Sequence, residues 1–562
     1  MTPLEAYGRV WAIHCLLQLY EQSFLFDSEM QGLVLCAVVW VFVLPSRRSL
    51  SFAILLRNIA RFRSMPFVWD SEFWLMLTDA SLLVSLFSEK HTCLPHVGKT
   101  VRPQLGVCYC AASFFKVNTS FLNPRTSCAS IFGISVLELI PPVARWVEAQ
   151  PRLLRGFVST MPLQIVLLEG VIGIGLLLSG RLERLKTGAI WLALIFHLAI
   201  AITPRPNGVP TFSCVAATRL LLCIGEKDAI PVSKAIDSCN LPLLGIIGGG
   251  LVMGFGIDSA IVLYLQLMYI VVLALRHSNH GRPESKDEGQ DNSVLPTVLL
   301  VGASFCYAFL LPIIGLQEIG SCTMFANMRL VQGLGINNLL WGSIPTGVLQ
   351  AKEFGVYRGG IVRVEHTTSQ FLNELYPGEI TNLLDPHTRH LLEMAGHVSR
   401  QFNPKARRVL GMNRRKSMPK WNSSLPFVPY TVPALEFRRM VMEAIKSEEK
   451  SFDLTYTRLM LPKDPPTKDT VEEWRRSGEG SSVQLTLDKG SIAKCLVTNK
   501  GEESSPWRIT TFRRGKNCST DELNLLGLFD QEDSWWVKAA LKIGLFYPLP
   551  IFEAENEIVC NY

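Results

Sequence analysis

Up to Leu316 the apolar residues of this chain gather into long runs, and beyond it they break into short alternating stretches. The runs are Gln31 to Leu44, Phe73 to Phe87, Leu105 to Val117, Ile131 to Val143, Phe157 to Ser179, Gly188 to Ile202 and Leu295 to Leu316. A helix crossing a hydrocarbon core of about 30 Å needs about 20 residues, so the shorter runs predict tilted helices or helices partly buried in a bundle. Val10 to Leu19 predicts an interfacial or weak span. Leu241 to Leu275 carries only Asp258 and Gln266 as strongly polar residues. One straight helix of that length would reach roughly 50 Å, so a break near Gly254, Gly256 and Asp258 is expected. Gly245 with Gly249, and Gly250 with Gly254, have the G-x-x-x-G spacing that lets helices approach closely.

The pattern predicts a mainly α protein, a polytopic transmembrane helix bundle of about eight spans with a C-terminal soluble α+β domain. Residues 1–60 form an N-terminal segment with the first membrane anchor, 61–345 the bundle, and 346–562 the extramembrane domain. The polar stretch from His277 to Ser293 reads as an extramembrane loop. In the C-terminal part, Pro386 to His397 and Trp535 to Leu545 read as helices, and Val483 to Leu487 and Arg508 to Phe512 as strands.

Composition sharpens this. Of 562 residues, 48% are hydrophobic and 18% charged, against roughly 25% charged in soluble domains, which excludes a disordered chain or a purely soluble enzyme. The net charge of +7 comes from scattered Lys and Arg, so nucleic acid is not an expected partner, whereas the lipid bilayer is. The fourteen cysteines form no C-x-x-C pair, and most lie in apolar runs, where Cys acts as a small hydrophobe. The N-terminus lacks a basic region followed by an A-x-A site, so in a secretory membrane the first strongly apolar run would serve as an uncleaved anchor. Arg47, Arg48, Arg57, Arg61 and Arg63 read as a cytoplasmic loop by the positive-inside rule.

Ionisable residues inside apolar runs are costly and face a partner or a cavity, which singles out Lys116, Glu138, Glu169 and His197, with Glu72 and Asp79 on the second run. A lysine held neutral among apolar groups could act as a base, whereas one that snorkels to the interface is structural. His390, Glu393 and His397 share a helical face, as a metal site would require, though such a face is more often solvated, and no metal is expected. The basic run from Lys405 to Lys416 reads as a solvated loop. Asn118, Asn422 and Asn517 stand in N-x-[ST] sequons.

Four stretches resemble one known family in order and spacing. They are AlaAlaSerPhePheLysValAsnThrSerPheLeuAsnPro at 111–124, LeuGluGly at 168–170, IlePheHis at 195–197, and CysThrMetPheAlaAsnMetArg at 322–329. Together they resemble the HTTM (horizontally transferred transmembrane) family related to vitamin K-dependent gamma-carboxylase, over roughly residues 60–345. The resemblance implies an endoplasmic-reticulum membrane lyase that uses reduced vitamin K or a related lipophilic quinone on a protein substrate. It implies Lys116 as the base, Glu169 and His197 as catalytic partners, and Glu72 and Asp79 as substrate-binding carboxylates. Glu72 stands where the family carries a histidine. The alternative is a non-enzymatic lipid-binding scaffold or transporter, in which Lys116 and Glu169 form a structural ion pair.

Overall fold

The computed structural model describes residues 2–21, 28–64, 70–88, 93–124, 149–179, 182–203, 210–225, 229–239, 258–279, 294–313, 326, 330–331, 335–336, 338–341, 361–368, 430–433, 437, 451–459, 481–488, 491–499 and 549–550, with isolated positions between 127 and 146. These residues are mainly helical. In chain order the helices are α1 (Pro3–Glu21), α2 (Ser28–Val43), α3 (Arg47–Ser64), α4 (Asp70–Ser88), α5 (Cys93–Lys116), α6 (Thr119–Leu122), α7 (Pro151–Leu178), α8 (Glu183–Ile202), α9 (Pro210–Ile224), α10 (Ile230–Ser238), α11 (Ser259–Asn279) and α12 (Val294–Phe305). A π-helical turn, Cys306–Leu310, and a last turn, Leu311–Ile313, continue α12.

Four of these helices are long and apolar enough to cross a membrane: Gly156–Leu178, Glu183–Ile202, Ser259–Ser278 and Leu295–Ile313. Met30–Val43, Phe73–Phe87 and Pro210–Ile224 are shorter apolar helices. Four long spans therefore stand among the described residues where about eight were expected. Most of Ile131 to Val143, with Glu138, lies outside the described residues, as does 240–257 with its G-x-x-x-G glycines. Asp258 does end the long apolar run as a helix boundary: its Oδ1 accepts the Ala260 N–H at 2.8 Å just where α11 begins.

The stretch around Val10 to Leu19, expected as an interfacial or weak span, lies on α1, whose Tyr7, Val10, Trp11, Ala12 and Cys15 are fully buried. One expectation near the N-terminus is corrected. The arginine-rich segment is helix α3, not a loop, and it buries Arg57 and Arg61 while presenting Phe52, Leu55, Ile59 and Phe62 outward. Two of its arginines thus face inward beside Leu50, Ala53 and Ile54, while a row of large apolar side chains faces outward, as a lipid surround would favour.

The contact that positions the site is the antiparallel crossing of α5 and α7. Gly106 lies against Leu177, Gly173 against Cys110, and Gly170 against Ser113. A Cβ on Gly173 would come within 2.7 Å of the Cys110 backbone nitrogen, so the two backbones touch there and no side chain fits between them. On the opposite side α12 runs parallel to α5: Thr100 meets Thr297, Gln104 donates to Ser304, and Phe115 lies 6.0 Å from Phe309.

The described strands beyond α12 are β1 (Leu330–Val331), β2 (Gly335–Ile336), β3 (Ile361–Thr367), β4 (Tyr430–Pro433), β5 (Ser451–Leu459), β6 (Ser481–Asp488), β7 (Ser491–Asn499) and β8 (Leu549–Pro550). The first two pair with each other, and the rest pair antiparallel in the order β7-β6-β5-β3-β4-β8. Phe452, Leu454 and Tyr456 alternate along β5 as buried residues, with Tyr456 against Phe437. β6 contains the strand expected from Val483 to Leu487. The expected helices at Pro386 to His397 and Trp535 to Leu545 and the strand at Arg508 to Phe512 lie outside the described residues.

The α5–α7 crossing yields a direct test. Gly173→Ala should cost roughly 1–3 kcal/mol through overpacking against the Cys110 backbone, while Gly188→Ala, with open space around it, should be neutral or slightly stabilising. Thermal unfolding of the two variants in detergent micelles checks this, and equal midpoints would contradict the close crossing.

Candidate functional site

Lys116 is the last residue of α5, where the partial negative charge of the helix C-terminus favours a cation. The crossing with α7 places Glu169 opposite it. The ammonium lies 2.9 Å from Oε2 and 3.0 Å from Oε1 of Glu169, both side chains being only 6% exposed. Nζ also donates to the Ala112 carbonyl at 3.5 Å and stands 5.8 Å from the Phe121 ring centre. One turn away, Ser113 Oγ donates to the Val166 carbonyl at 2.8 Å and fixes the register of the two helices. Lys116 is thus held against Glu169 across the α5–α7 crossing.

His197 belongs to a second pair. Its Nε2 lies 2.6 Å from the hydroxyl of Tyr109, and the rings of Phe196 and Phe212 pack around it. Its carbonyl accepts from Ser213 Oγ at 2.9 Å. Tyr109 precedes Lys116 by one heptad on the same face of α5, about 10 Å along the axis. Among the described residues no hydrogen bond or ion pair joins His197 to Lys116 or Glu169. The three residues expected to form one catalytic cluster form two separate pairs along α5. His197 Nδ1 is buried with no hydrogen-bond partner among the described residues.

Asp79 lies elsewhere. It is fully buried and accepts from Arg61 at 2.9 Å, from the Trp11 indole at 3.1 Å and from Arg219. Arg219 also donates to the Tyr7 hydroxyl at 2.9 Å. Arg57 reaches Cys15 and Gln18 of α1 and lies over the Trp11 ring. Asp79 is therefore the hub that ties α4 to α1, α3 and α9. Glu72 sits in the first turn of α4, and its side chain is outside the described residues.

The end of α5 is closed by two asparagines. Asn118 is fully buried; its amide donates to the carbonyls of Phe115 at 2.8 Å and Ala326 at 2.7 Å, and its Oδ1 accepts the Phe121 N–H at 2.7 Å, capping α6. Asn338 donates to the Phe114 carbonyl at 2.6 Å, and the Leu339 N–H donates to the Val117 carbonyl at 2.8 Å. Of the carbonyls at this helix end, those of Phe115 and Lys116 are thus met by the nearby Asn118, while that of Phe114 also accepts from Asn338, more than 200 residues downstream. A buried Asn118 amide spent on two carbonyls is no glycan acceptor, so that sequon is structural. Asn422, Asn517, the His390, Glu393 and His397 set and the Lys405 to Lys416 run lie outside the described residues. Among the described residues no group of three or more His, Cys, Asp or Glu is placed to hold a metal.

Comparison with known proteins changes the picture of kinship. Residues 337–538 match the model of a family described as a domain of unknown function (DUF8388). That match covers less than half of the chain. No curated protein and no solved structure matches. The HTTM resemblance is overturned: the match lies in the C-terminal part, and no HTTM or carboxylase model matches. The physical reason is visible in the motifs, which are short runs of residues common in apolar helices around single polar positions. Among the described residues, Lys116, Asn118, Glu169 and His197 of those motifs are spent on a helix end and buried pairs. With the resemblance withdrawn, the reduced vitamin K, the lipophilic quinone, the lyase chemistry, the protein substrate and the endoplasmic reticulum have no support of their own. What stands is a set of apolar helices compatible with a membrane protein.

Sequence reasoning missed Arg57, Arg61 and Arg219 as interior residues and Asn338 as a cap. Arg219 alone carried a legible signal, a single cation inside ThrPheSerCysValAlaAlaThrArgLeuLeuLeuCysIle. The Asp79 hub predicts that Asp79→Asn, which keeps shape but removes the charge facing Arg61 and Arg219, costs roughly 3–5 kcal/mol. Chemical or thermal unfolding in micelles measures it, and a loss no larger than that of a surface substitution would refute the hub.

Proposed function

We propose that the chain is a multi-pass membrane protein whose helical bundle works without chemistry of its own. In this reading it is a scaffold that holds the DUF8388-matching C-terminal part at the bilayer. The observation that carries it is the buried contact of Lys116 with Glu169, each side chain lying against the other. A catalytic base must be free to take a proton from a substrate, and a positioned acid must be free to meet one. Here each is occupied by the other. The Tyr109–His197 and Asp79–Arg61–Arg219 contacts follow the same pattern, in which interior polar groups bind helices to one another. The hydrogen bonds from Asn338 and Leu339 to the end of α5 support the scaffold role, since they join the first matched residues to the helix that carries Lys116.

The reading has a sharp energetic consequence. Lys116→Met or Glu169→Leu alone should destabilise by roughly 3–5 kcal/mol, because each leaves a buried charge without its partner, whereas the double variant should recover most of that loss. Unfolding midpoints in micelles report the cycle. A Lys116→Met protein as stable as wild type would remove the structural role and return Lys116 to consideration as a chemical group.

A further inference from the structure

Immediately after Asn338, three large apolar side chains stand side by side in the open: Leu339 is 57% exposed, Leu340 67% and Trp341 48%. The backbone that carries them is held by hydrogen bonds. Asn338 Oδ1 accepts the N–H groups of Leu340 at 2.8 Å and Trp341 at 3.1 Å, and the Leu339 N–H is held by the Val117 carbonyl. The backbone of the triplet is thus pinned to the end of α5 as a tab, with its three side chains exposed. In water such a tab would be an unfavourable apolar patch.

The surroundings say what covers it. On one side, Val117 packs with Ile165 and Val166 of α7, and at that level α7 turns Leu163 and Leu167 outward, 53% and 57% exposed. On the other side, Phe114 and Phe115 pack against Phe309, and the next residue, Leu310, is also turned outward. Both neighbours belong to helices long and apolar enough to cross a membrane. The tab therefore continues the apolar belt of two spans.

We infer that Leu339, Leu340 and Trp341 are a lipid-contacting tab that seats the start of the DUF8388-matching region against the phospholipid bilayer. The inference rests on the membrane-scaffold reading and adds the partner and the residues that meet it. Because Asn338 bonds both the tab and the Phe114 carbonyl, lipid contact and closure of the α5 end are parts of one local structure.

The test is photochemical. The full chain, carrying p-benzoyl-phenylalanine in place of Leu340, is reconstituted into phosphatidylcholine–phosphatidylserine nanodiscs, irradiated and examined by mass spectrometry. The same amino acid is placed at Val298, exposed on α12, and at Thr368, exposed just past β3. Lipid adducts at position 340 with a yield of the same order as at 298, and much lower at 368, are expected. Adducts at 298 but not at 340 overturn the tab while leaving the membrane reading intact. Adducts from 340 only to peptides of this chain or of a second copy overturn it in favour of a protein contact. No lipid adduct at either 298 or 340 overturns both the tab and the membrane reading.

Discussion

A charge taken out of water must find a partner inside the protein, and this constraint organises the helical part of the chain. Moving an isolated ion into an apolar interior costs several kcal/mol even after relaxation, so each buried cation specifies which helices must meet. Lys116 requires Glu169, which brings α5 against α7. Arg61 and Arg219 converge on Asp79, which brings α3, α4 and α9 together around α1. Apolar side chains facing lipid gain little from helix association, so these polar contacts and close backbone packing carry the specificity of the bundle.

The helix α5 concentrates the consequences. Its glycine-mediated contact with α7 sets the register, its Tyr109 meets His197, and its last residue forms the buried ion pair. It ends beside a polar turn, where Asn118 and Asn338 satisfy carbonyls that would otherwise be stranded in an apolar setting. The helix end therefore also takes a hydrogen bond from beyond the last long apolar helix, and the helical part and the start of the DUF8388-matching region share one hydrogen-bonded structure.

Much of the helical architecture was legible. Of the expected runs, Phe73 to Phe87, Phe157 to Leu178, Gly188 to Ile202 and Leu295 to Ile313 lie on helices, and α11 begins just after Asp258. Lys116 and Glu169 stood out because ionisable residues in apolar runs are costly. What misled was the arginine segment, where counting charges predicted a loop although the spacing of Arg57 and Arg61 puts both on one inner face of α3. The four short motifs misled for a related reason: in apolar helices a polar residue every few turns is needed for assembly alone, so agreement at such positions says little about descent.

The sequence by itself determined that apolar helices would dominate the first 316 residues, that a polar region with strands would follow, and that a few interior charges would need partners, because burial cost depends on residue type and local periodicity. Only the tertiary structure decided which partner each charge took. It paired Lys116 with Glu169 but His197 with Tyr109, turned Asp79 from a substrate-binding expectation into a hub for arginines, and sent Asn338 back across the chain to close α5. Pairing depends on distances between helices far apart in sequence, and those distances are set by packing, such as the contact of Gly173 with Cys110, that no local pattern encodes.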